Sequence, residues 1–411
     1  MTTTTLNLRV NEDRLRQHMD ELALVGGRPD GGVCRLAFSE ADRAGRDFVE
    51  ARMRALGLDV RIDRIGNIVG IRAGREKGPV VLAGSHTDTV ATGGRFDGSA
   101  GVSAALEAVE AMNDAAVTTA LPVGVVSFVN EEGARFVPDM MGSLVLRGDL
   151  SVEDARKSVD ADGVSVGEAM DRVGYAGQDD LSGLDIRCYL EMHIEQGPVL
   201  EREGVPVGVV ESVQGIKWLA VTLHGATAHA GATPMSMRRD AALVAAEIVQ
   251  FARRLAADIE TQRATVGSLT LSPNIVNVVA DEARLIVDLR NPDRTRLENA
   301  EARLRSFIAV AARREGVEHE IVTLADVPPA RFDEGVVAAI EESAAVLGYR
   351  SRRMMSGAGH DAQIISARWP AAMIFVPSRG GVSHNVQEYT SPSELAAGAN
   401  VLLHAMLRLA G

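Results

Sequence analysis

Short apolar runs alternate with amphipathic segments over the first two hundred residues of the chain. Apolar residues spaced three and four positions apart predict helices over residues 11–24, 39–56 and 101–112. Uninterrupted apolar runs, or alternating apolar and charged residues, predict strands. These strands lie at residues 58–62, 68–71, 80–83, 123–128 and 186–194. The alternation predicts an α/β domain with a mixed, mostly parallel sheet flanked by helices.

The pattern changes near residue 208. Strands are predicted at 213–224, 269–271, 275–279, 285–290 and 319–324, and amphipathic helices at 236–257 and 294–314. This order of strand, helix, strands, helix and strand is typical of a ferredoxin-like α+β unit. A helix at 332–347 and a strand at 373–377 then return to the first domain. The predicted boundaries are residues 1–211 and 328–411 for the first domain and residues 212–327 for an inserted domain.

Polar side chains lie at or near the carboxyl ends of the predicted buried strands. They are His86, Asp88, Asp97, Glu131, Glu132, His193 and His384. In open α/β sheets this edge is where ligands bind. Asp88 is two residues beyond His86 on an extended segment, so its carboxylate can accept the far ring N–H of that histidine. Glycines around Asp97 allow its loop to turn back towards the strand ends.

Five of these side chains are candidate metal ligands. They are His86, Asp97, Glu132, His193 and His384. Nitrogen and oxygen ligands without sulfur suit zinc, manganese or cobalt. Asp97 has two carboxylate oxygens in a flexible loop and can bridge two ions, as in two-metal hydrolytic sites. Adjacent residues at a strand end point opposite ways, so Glu132 can bind metal while Glu131 transfers protons.

Each of these residues also has a simpler explanation. A single histidine beside a strand is more often structural, and a pair of adjacent glutamates usually lies on a solvated helix face. The convergence of all of them on one edge of the same sheet favours a metal or catalytic site.

Composition narrows the class of protein. The chain has 411 residues, of which 46% are hydrophobic and 24% charged, and no apolar run is long enough to span a bilayer. A net charge of -13 argues against nucleic acid as a partner, because phosphate binding needs a basic face. The N-terminal segment lacks the features of a signal peptide, so a cytoplasmic location is expected. Cys34 and Cys188 belong to no paired motif and are expected to be free thiols.

Together the motifs resemble the M20 metallopeptidase and amidohydrolase family, in its hydantoinase/carbamoylase branch. The matching segments are His86-Thr87-Asp88, Gly94-Arg95-Phe96-Asp97-Gly98, Glu131-Glu132-Gly133-Ala134-Arg135-Phe136, His193-Ile194-Glu195-Gln196-Gly197-Pro198 and Ser383-His384-Asn385. The resemblance implies that His86 and His193 bind one ion, that Glu132 and His384 bind a second, and that Asp97 binds both. It also implies that Glu131 is the general base. The peptidases of the family commonly have a carboxylate at the position of His193, so the histidine favours the carbamoylase branch.

The inserted unit resembles the lid and dimerisation domain of this family, which implies a homodimer. His229 would then act in the partner subunit's active site, although a structural role in a loop is equally consistent with its sequence context. Asn277 and Arg290, on neighbouring predicted strands, would hold the substrate carboxylate; the alternative for Arg290 is a surface ion pair with Asp288. Gln196 would contact the ureido end of the substrate.

A glycine loop of the family is matched by Gly357-Ala358-Gly359-His360-Asp361-Ala362. Gly359 would line the pocket with its backbone N–H, and His360 and Asp361 would support the ligands from behind.

The predicted reaction is hydrolysis of the carbamoyl C–N bond of an N-carbamoyl-L-amino acid, with two divalent ions per subunit. Its products are the amino acid, ammonia and carbon dioxide. Allantoate amidohydrolase and β-ureidopropionase activities are alternatives, as are hydrolysis of an N-acyl amino acid or dipeptide and a non-catalytic binding protein on the same fold. The segment Gly215-Ile216-Lys217-Trp218 resembles the carbamoylases, whereas a pair of arginines is expected there in allantoate amidohydrolases.

Overall fold

The computed structural model describes residues 7–411. Its helices are α1 (Glu12–Leu24), α2 (Glu40–Ala55), α3 (Ser99–Asp114), α4 (Met141–Arg147), α5 (Val152–Ala155), α6 (Val166–Val173), α7 (Val199–Glu203), α8 (Ala241–Asp258), α9 (Arg294–Glu315), α10 (Glu334–Val346), α11 (Asp361–Ile365) and α12 (Pro392–Leu409). Its strands are β1 (Asp59–Ile62), β2 (Ile68–Arg72), β3 (Val80–His86), β4 (Val123–Phe128), β5 (Ile186–Ile194), β6 (Val207–Val213), β7 (Gly215–His224), β8 (Arg263–Ser272), β9 (Glu282–Asn291), β10 (Glu318–Val327), β11 (Ala330–Arg331), β12 (Ser351–Ser356) and β13 (Ala371–Val376). The chain divides into two compact units, residues 7–211 with 331–411 and residues 212–330.

A nine-stranded mixed sheet forms the centre of the first unit. Its strand order is β1-β2-β4-β3-β5-β13-β6-β11, with β12 paired to β6. The four central strands β4, β3, β5 and β13 are parallel, whereas β1, β2 and β6 run antiparallel to their neighbours. Every residue of β3, β4 and β13 is buried, as expected for parallel strands covered on both faces. The predicted mixed, mostly parallel sheet is confirmed.

The carboxyl ends of the four parallel strands lie at the same edge of this sheet. Helix α3 follows β3 and is apolar on nearly all sides, so it packs in the interior beside the sheet. Strand β3 continues three residues beyond the predicted end at Ala83 and includes His86. The sheet therefore carries the first candidate ligand on a rigid strand rather than on a loop.

The second unit is a four-stranded antiparallel sheet with two helices. Its strand order is β10-β7-β9-β8, and the chain order β7-α8-β8-β9-α9-β10 is ferredoxin-like. Alternate residues of β7 and β9, such as Leu219 and Leu285, are buried in one cluster with Ile248 of α8 and Leu304 of α9. The α+β architecture expected of the inserted segment is present.

Some predicted elements differ from the structure. The strand predicted at 275–279 is wrong: β8 ends at Ser272, and Pro273 and Asn274, which has a positive φ, begin a loop. The short strand predicted at 269–271 is part of β8.

Strands β6 and β12 and helix α12 were not predicted. Helix α12 begins with a capping box between Ser391 and Glu394 and with a proline in its first turn, which are recognisable start signals. Across residues 7–411, no helix combines the length and apolar character that crossing a bilayer requires.

Candidate active site

The predicted ligands of the first unit converge at the carboxyl edge of its sheet. His86 ends β3 and His193 is the penultimate residue of β5, and both are buried. Glu132 follows β4, and His384 lies on the loop between β13 and α12. Asp97 lies in the loop that leads into α3 and is 5% exposed. The structure therefore brings together all five side chains, although they are spread over about three hundred positions of the sequence.

Asp97 is at the centre of this group. Its Oδ1 lies 3.1 Å from Nε2 of His193 and 3.5 Å from Nε2 of His86. Its Oδ2 lies 3.5 Å from Nε2 of His384, which is 3.3 Å from Oε2 of Glu132. The two oxygens of one carboxylate thus face two different sets of side chains, and each set is compact enough to hold a metal ion.

The histidines of the first set present lone pairs to the centre. Nδ1–H of His86 donates to the carbonyl of Asp88 at 3.0 Å, and Nδ1–H of His193 donates to the carbonyl of Ile194 at 2.9 Å. Nε2 of His86 is buried and has no hydrogen-bond partner among residues 7–411. A lone pair that faces carboxylate oxygens is repelled unless a cation lies between them. These residues therefore fit a divalent cation.

The second set carries an excess of negative charge. Burial raises the pKa of Glu132 well above its usual range, and the nearby charge of Asp97 raises it further. A bound cation would offset this cost, because it stabilises the charged form of both carboxylates. His384 is half exposed, with 51% of its side chain accessible, so this set faces solvent. Nitrogen and oxygen donors without sulfur suit zinc, manganese or cobalt.

Glu131 and Glu132 reach different histidines. Oε2 of Glu131 lies 3.4 Å from Nε2 of His86, whereas Glu132 approaches His384. The predicted role of Asp88 is wrong in one respect, because its carboxylate is 3.8 Å from Nδ1 of His86 and its backbone carbonyl accepts that N–H instead. The Asp88 carboxylate accepts the backbone N–H groups of Glu131 and Glu132 at 3.2 and 3.3 Å. Asp88 therefore positions the glutamate pair.

Gly98 allows the Asp97 loop to approach His86 closely. Its φ is +59°, and a Cβ at this position would lie 2.4 Å from Cε1 of the His86 ring. Its backbone N–H points towards Nε2 of His193 at 3.3 Å. Any side chain here would displace the imidazole that Asp97 faces, so glycine is required.

Several polar residues complete the site. Nε2 of Gln196 donates to Oδ2 of Asp97 at 2.8 Å, which places Gln196 beside the candidate ligands. His360 packs against His193 with ring centroids 4.5 Å apart, and burial lowers the pKa of His360 well below its usual value. Gly359 lies against the side chain of Met140, since a Cβ at this position would lie 2.3 Å from Cε of that methionine.

Two further residues support the site, although no role was predicted for them. Ser383 and Glu388 hydrogen-bond to Asp97 or its backbone. Their position directly around His384 was the available signal.

Comparison with known proteins identifies the family. Residues 82–408 match Peptidase family M20/M25/M40. The chain belongs to this family. It is 39% identical over 408 residues to an N-carbamoyl-L-amino-acid amidohydrolase of Rhizobium meliloti, with 98% of each chain covered. It is 34% identical over 403 residues to an allantoate amidohydrolase of Bacillus subtilis (strain 168), with 97% of this chain and 98% of that protein covered.

The fold agrees with this assignment. A crystal structure of an amidase of the hydantoinase/carbamoylase family from Burkholderia multivorans superposes with a TM-score of 0.95 at 42% identity, covering 98% of each chain. The predicted resemblance to the M20 family and its hydantoinase/carbamoylase branch is confirmed, and the chain is a hydrolase.

The second unit of this M20 chain contains the remaining predicted residues. His229 is exposed on a loop, and its Nδ1 accepts the backbone N–H groups of Gly231 and Ala232 at 3.1 and 3.0 Å. Asn277 is exposed in the loop after β8, so its predicted position on a strand is wrong. Its backbone carbonyl accepts the N–H of Ala230, which joins the two loops.

Arg290 is paired within its own strand. Its Nε and Nη2 atoms donate to the Asp288 carboxylate at 2.9–3.1 Å. The ion pair considered as the alternative for this arginine is therefore present. It occupies the Nε–Nη2 edge of the guanidinium.

Proposed function

We propose that the chain hydrolyses the carbamoyl C–N bond of an N-carbamoyl-L-amino acid with the help of two divalent cations. One water is consumed, and the products are the amino acid, ammonia and carbon dioxide. The observation that carries the proposal is the position of Asp97. Its two oxygens face two separate sets of imidazole and carboxylate ligands, with Glu131 beside them.

The five ligands would hold two cations. His86 and His193 would bind one, Glu132 and His384 the other, and Asp97 would bridge them. When bound, the pair of cations supplies Lewis acidity, which polarises the substrate carbonyl and lowers the pKa of water.

Glu131 is the proton-transfer residue in this proposal. Its carboxylate is buried, and Asp88 holds its backbone in place through the N–H group. It accepts the proton of the attacking water and passes it to the nitrogen that leaves. Proton transfer by a positioned carboxylate of this kind contributes about 10²–10⁴ to the rate.

Arg290 and Asn277 would bind the substrate carboxylate. A guanidinium and a carboxylate form two parallel hydrogen bonds, which fix orientation as well as supplying affinity. The ion pair with Asp288 keeps the guanidinium in one orientation before substrate arrives. Gln196 would contact the ureido group, since the carbonyl oxygen of its side chain is buried without a hydrogen-bond partner among residues 7–411.

His229 would complete the active site of a partner subunit in a homodimer. Mixing Glu131→Gln and His229→Ala subunits tests this directly. A hybrid dimer would contain one site with both residues intact, so the mixture should regain about a quarter of the wild-type rate. Mixed subunits that remain as inactive as either parent would show that His229 acts within its own chain.

The choice of an N-carbamoyl amino acid over allantoate is supported by β7. Ile216 is the cross-strand partner of Arg290, so an apolar side chain stands beside the proposed carboxylate clamp. Allantoate carries a second ureido group, for which this position offers no hydrogen bond. The relative from Bacillus subtilis named an allantoate amidohydrolase makes allantoate the second candidate substrate.

A substrate panel on metal-depleted and refilled protein tests the proposal. The chain is dialysed against a chelator, refilled with zinc, manganese or cobalt, and assayed with N-carbamoyl-L-methionine, N-carbamoyl-D-methionine, β-ureidopropionate, allantoate, N-acetyl-L-methionine and a dipeptide. We expect no turnover without metal and the highest kcat/KM on N-carbamoyl-L-methionine after refilling. If kcat/KM is highest on another compound of the panel, that compound replaces the N-carbamoyl-L-amino acid as the proposed substrate. Turnover that survives complete metal removal would refute the metal-dependent reaction.

A further inference from the structure

Glu388 is a buried carboxylate on the loop that also carries His384. Only 4% of the residue is exposed. Its Oε1 accepts the backbone N–H groups of Phe96 and Asp97 at 2.9 and 3.0 Å. Its Oε2 lies 3.0 Å from Oγ of Ser383, whose single proton can be donated to this oxygen or to Oδ2 of Asp97. All three partners of Glu388 belong to the two loops that present Asp97 and His384.

These contacts join segments that are far apart in the sequence. Glu388 and Asp97 are separated by 291 positions, and each lies on an irregular loop. Gly94 packs directly on the carboxylate, since a Cβ there would lie 2.3 Å from Oε1 of Glu388. The Asp97 loop is therefore held against Glu388 with no side chain between them.

Ser383 extends the connection to the bridging carboxylate itself. Its Oγ lies 2.9 Å from Oδ2 of Asp97 and 3.0 Å from Oε2 of Glu388. Oδ2 is the oxygen that faces His384. The Glu388 carboxylate thus contacts the backbone of Asp97 and the side chain of Ser383. Ser383 in turn contacts the Asp97 carboxylate and lies on the loop that carries His384.

We propose that Glu388 is a positioning residue that fixes Asp97 and His384 relative to each other and so sets the affinity for the cation between Asp97, Glu132 and His384. The inference rests on the ligand set of the proposed function. Groups that orient metal ligands from outside typically contribute 10- to 100-fold to metal affinity. Glu388 acts through Asp97 and Ser383 and would not itself contact metal or substrate.

The test measures metal affinity rather than turnover. The metal-free full-length chain is titrated with zinc in competition with a chromophoric chelator, which resolves the two binding steps. Glu388→Ala removes all three acceptor contacts, whereas Glu388→Gln keeps a neutral oxygen for the two backbone N–H groups. We expect the affinity of one of the two binding steps to fall by about 100-fold in Glu388→Ala and by about tenfold in Glu388→Gln, with the other step less affected.

Asp63 supplies a matched control. It is also buried, and its Oδ1 accepts the backbone N–H groups of Ile65, Gly66 and Asn67 in the turn between β1 and β2. It contacts none of the five ligands in the hydrogen bonds and ion pairs of residues 7–411. Asp63→Ala and Asp63→Asn should lower thermal stability as the Glu388 variants do but leave both zinc affinities unchanged.

Three results separate the possible outcomes. Wild-type protein that binds fewer than two zinc ions would overturn the ligand set and, with it, the basis of this inference. Wild type that binds two ions while Glu388→Gln and Glu388→Ala bind them equally well would overturn the role of Glu388 alone. An equal loss of affinity in the Asp63 variants would show that general destabilisation is the cause. Because Glu388→Gln keeps the size of the side chain, it decides the matter even if Glu388→Ala does not fold.

Discussion

Glu131 and Glu132 are neighbours in the sequence, yet we predict that neutralising them affects the metal content of the protein differently. Both carboxylates lie beside an imidazole, at 3.4 Å from His86 and 3.3 Å from His384 respectively. Among residues 7–411, Glu131 belongs to neither of the two candidate ligand sets, whereas Glu132 is one of the three side chains of the set with Asp97 and His384. Loss of the Glu131 charge should therefore spare the ions, and loss of the Glu132 charge should release one.

The expected magnitudes follow from these roles. Glu131→Gln removes proton transfer and should lower kcat by about 10²–10⁴, which corresponds to about 3–5 kcal/mol of transition-state stabilisation. Its metal content should stay at two ions per chain. Glu132→Gln replaces one charged ligand of three by a neutral oxygen, so one ion should be lost on gel filtration.

The assay combines metal analysis and kinetics on the same samples. Metal content is measured by plasma mass spectrometry after gel filtration, and kcat is measured with N-carbamoyl-L-methionine. The isosteric glutamine variants serve as controls for each other, because they alter adjacent positions identically. A Glu131→Gln protein that loses an ion would make Glu131 a ligand, and one that keeps near-normal kcat would end its assignment as the base.

Three further predictions concern other parts of the chain. Arg290→Ala should raise KM for carboxylate-bearing substrates by about 10- to 100-fold, measured by steady-state kinetics, whereas Arg284→Ala, which breaks a similar pair on the same strand, should not. Gly98→Ala should push the His86 ring aside and lower zinc affinity more than tenfold in chelator competition. Burial and Arg52 lower the pKa of His18 from 6.5 to about 4, so its unfolded form binds protons more readily. The free energy of unfolding should fall by up to about 3 kcal/mol as pH drops from 6.5 towards 4, and urea unfolding of His18→Gln should lose this dependence. An Arg284→Ala effect on KM equal to that of Arg290→Ala would contradict the first prediction. Unchanged zinc affinity in Gly98→Ala would contradict the second, and an identical pH slope in His18→Gln would contradict the third.

The sequence was sufficient to predict that the candidate ligands meet at one edge of the sheet. Mainly apolar runs at 80–83 and 123–128 mark buried parallel strands, and the carboxyl ends of such strands lie at a common edge. The polar residues that follow these strands were therefore expected to lie close together at that edge. His86 and His193 lie on strands, where periodicity fixes the direction of a side chain.

Contacts made by irregular backbone could not be predicted in this way. The carboxylate of Asp88 was expected behind His86, yet it accepts the N–H groups of the glutamate pair, because the chain leaves extended geometry beyond His86. Asn277 was assigned to a strand from its apolar neighbours. Strand β8 ends before Pro273, which cannot donate to a ladder, and Asn277 lies in the loop that follows. Glu388 lies on a loop, and no sequence period connects it to Asp97.

The central claim is that Asp97 bridges two cations, and anomalous diffraction tests it most directly. Crystals of the metal-free chain would be soaked with zinc and measured on both sides of the zinc absorption edge. We predict two anomalous peaks about 3.5–4 Å apart, one beside each oxygen of Asp97, with His193 and His384 at opposite ends. A single peak, or two peaks that Asp97 does not join, would contradict the account.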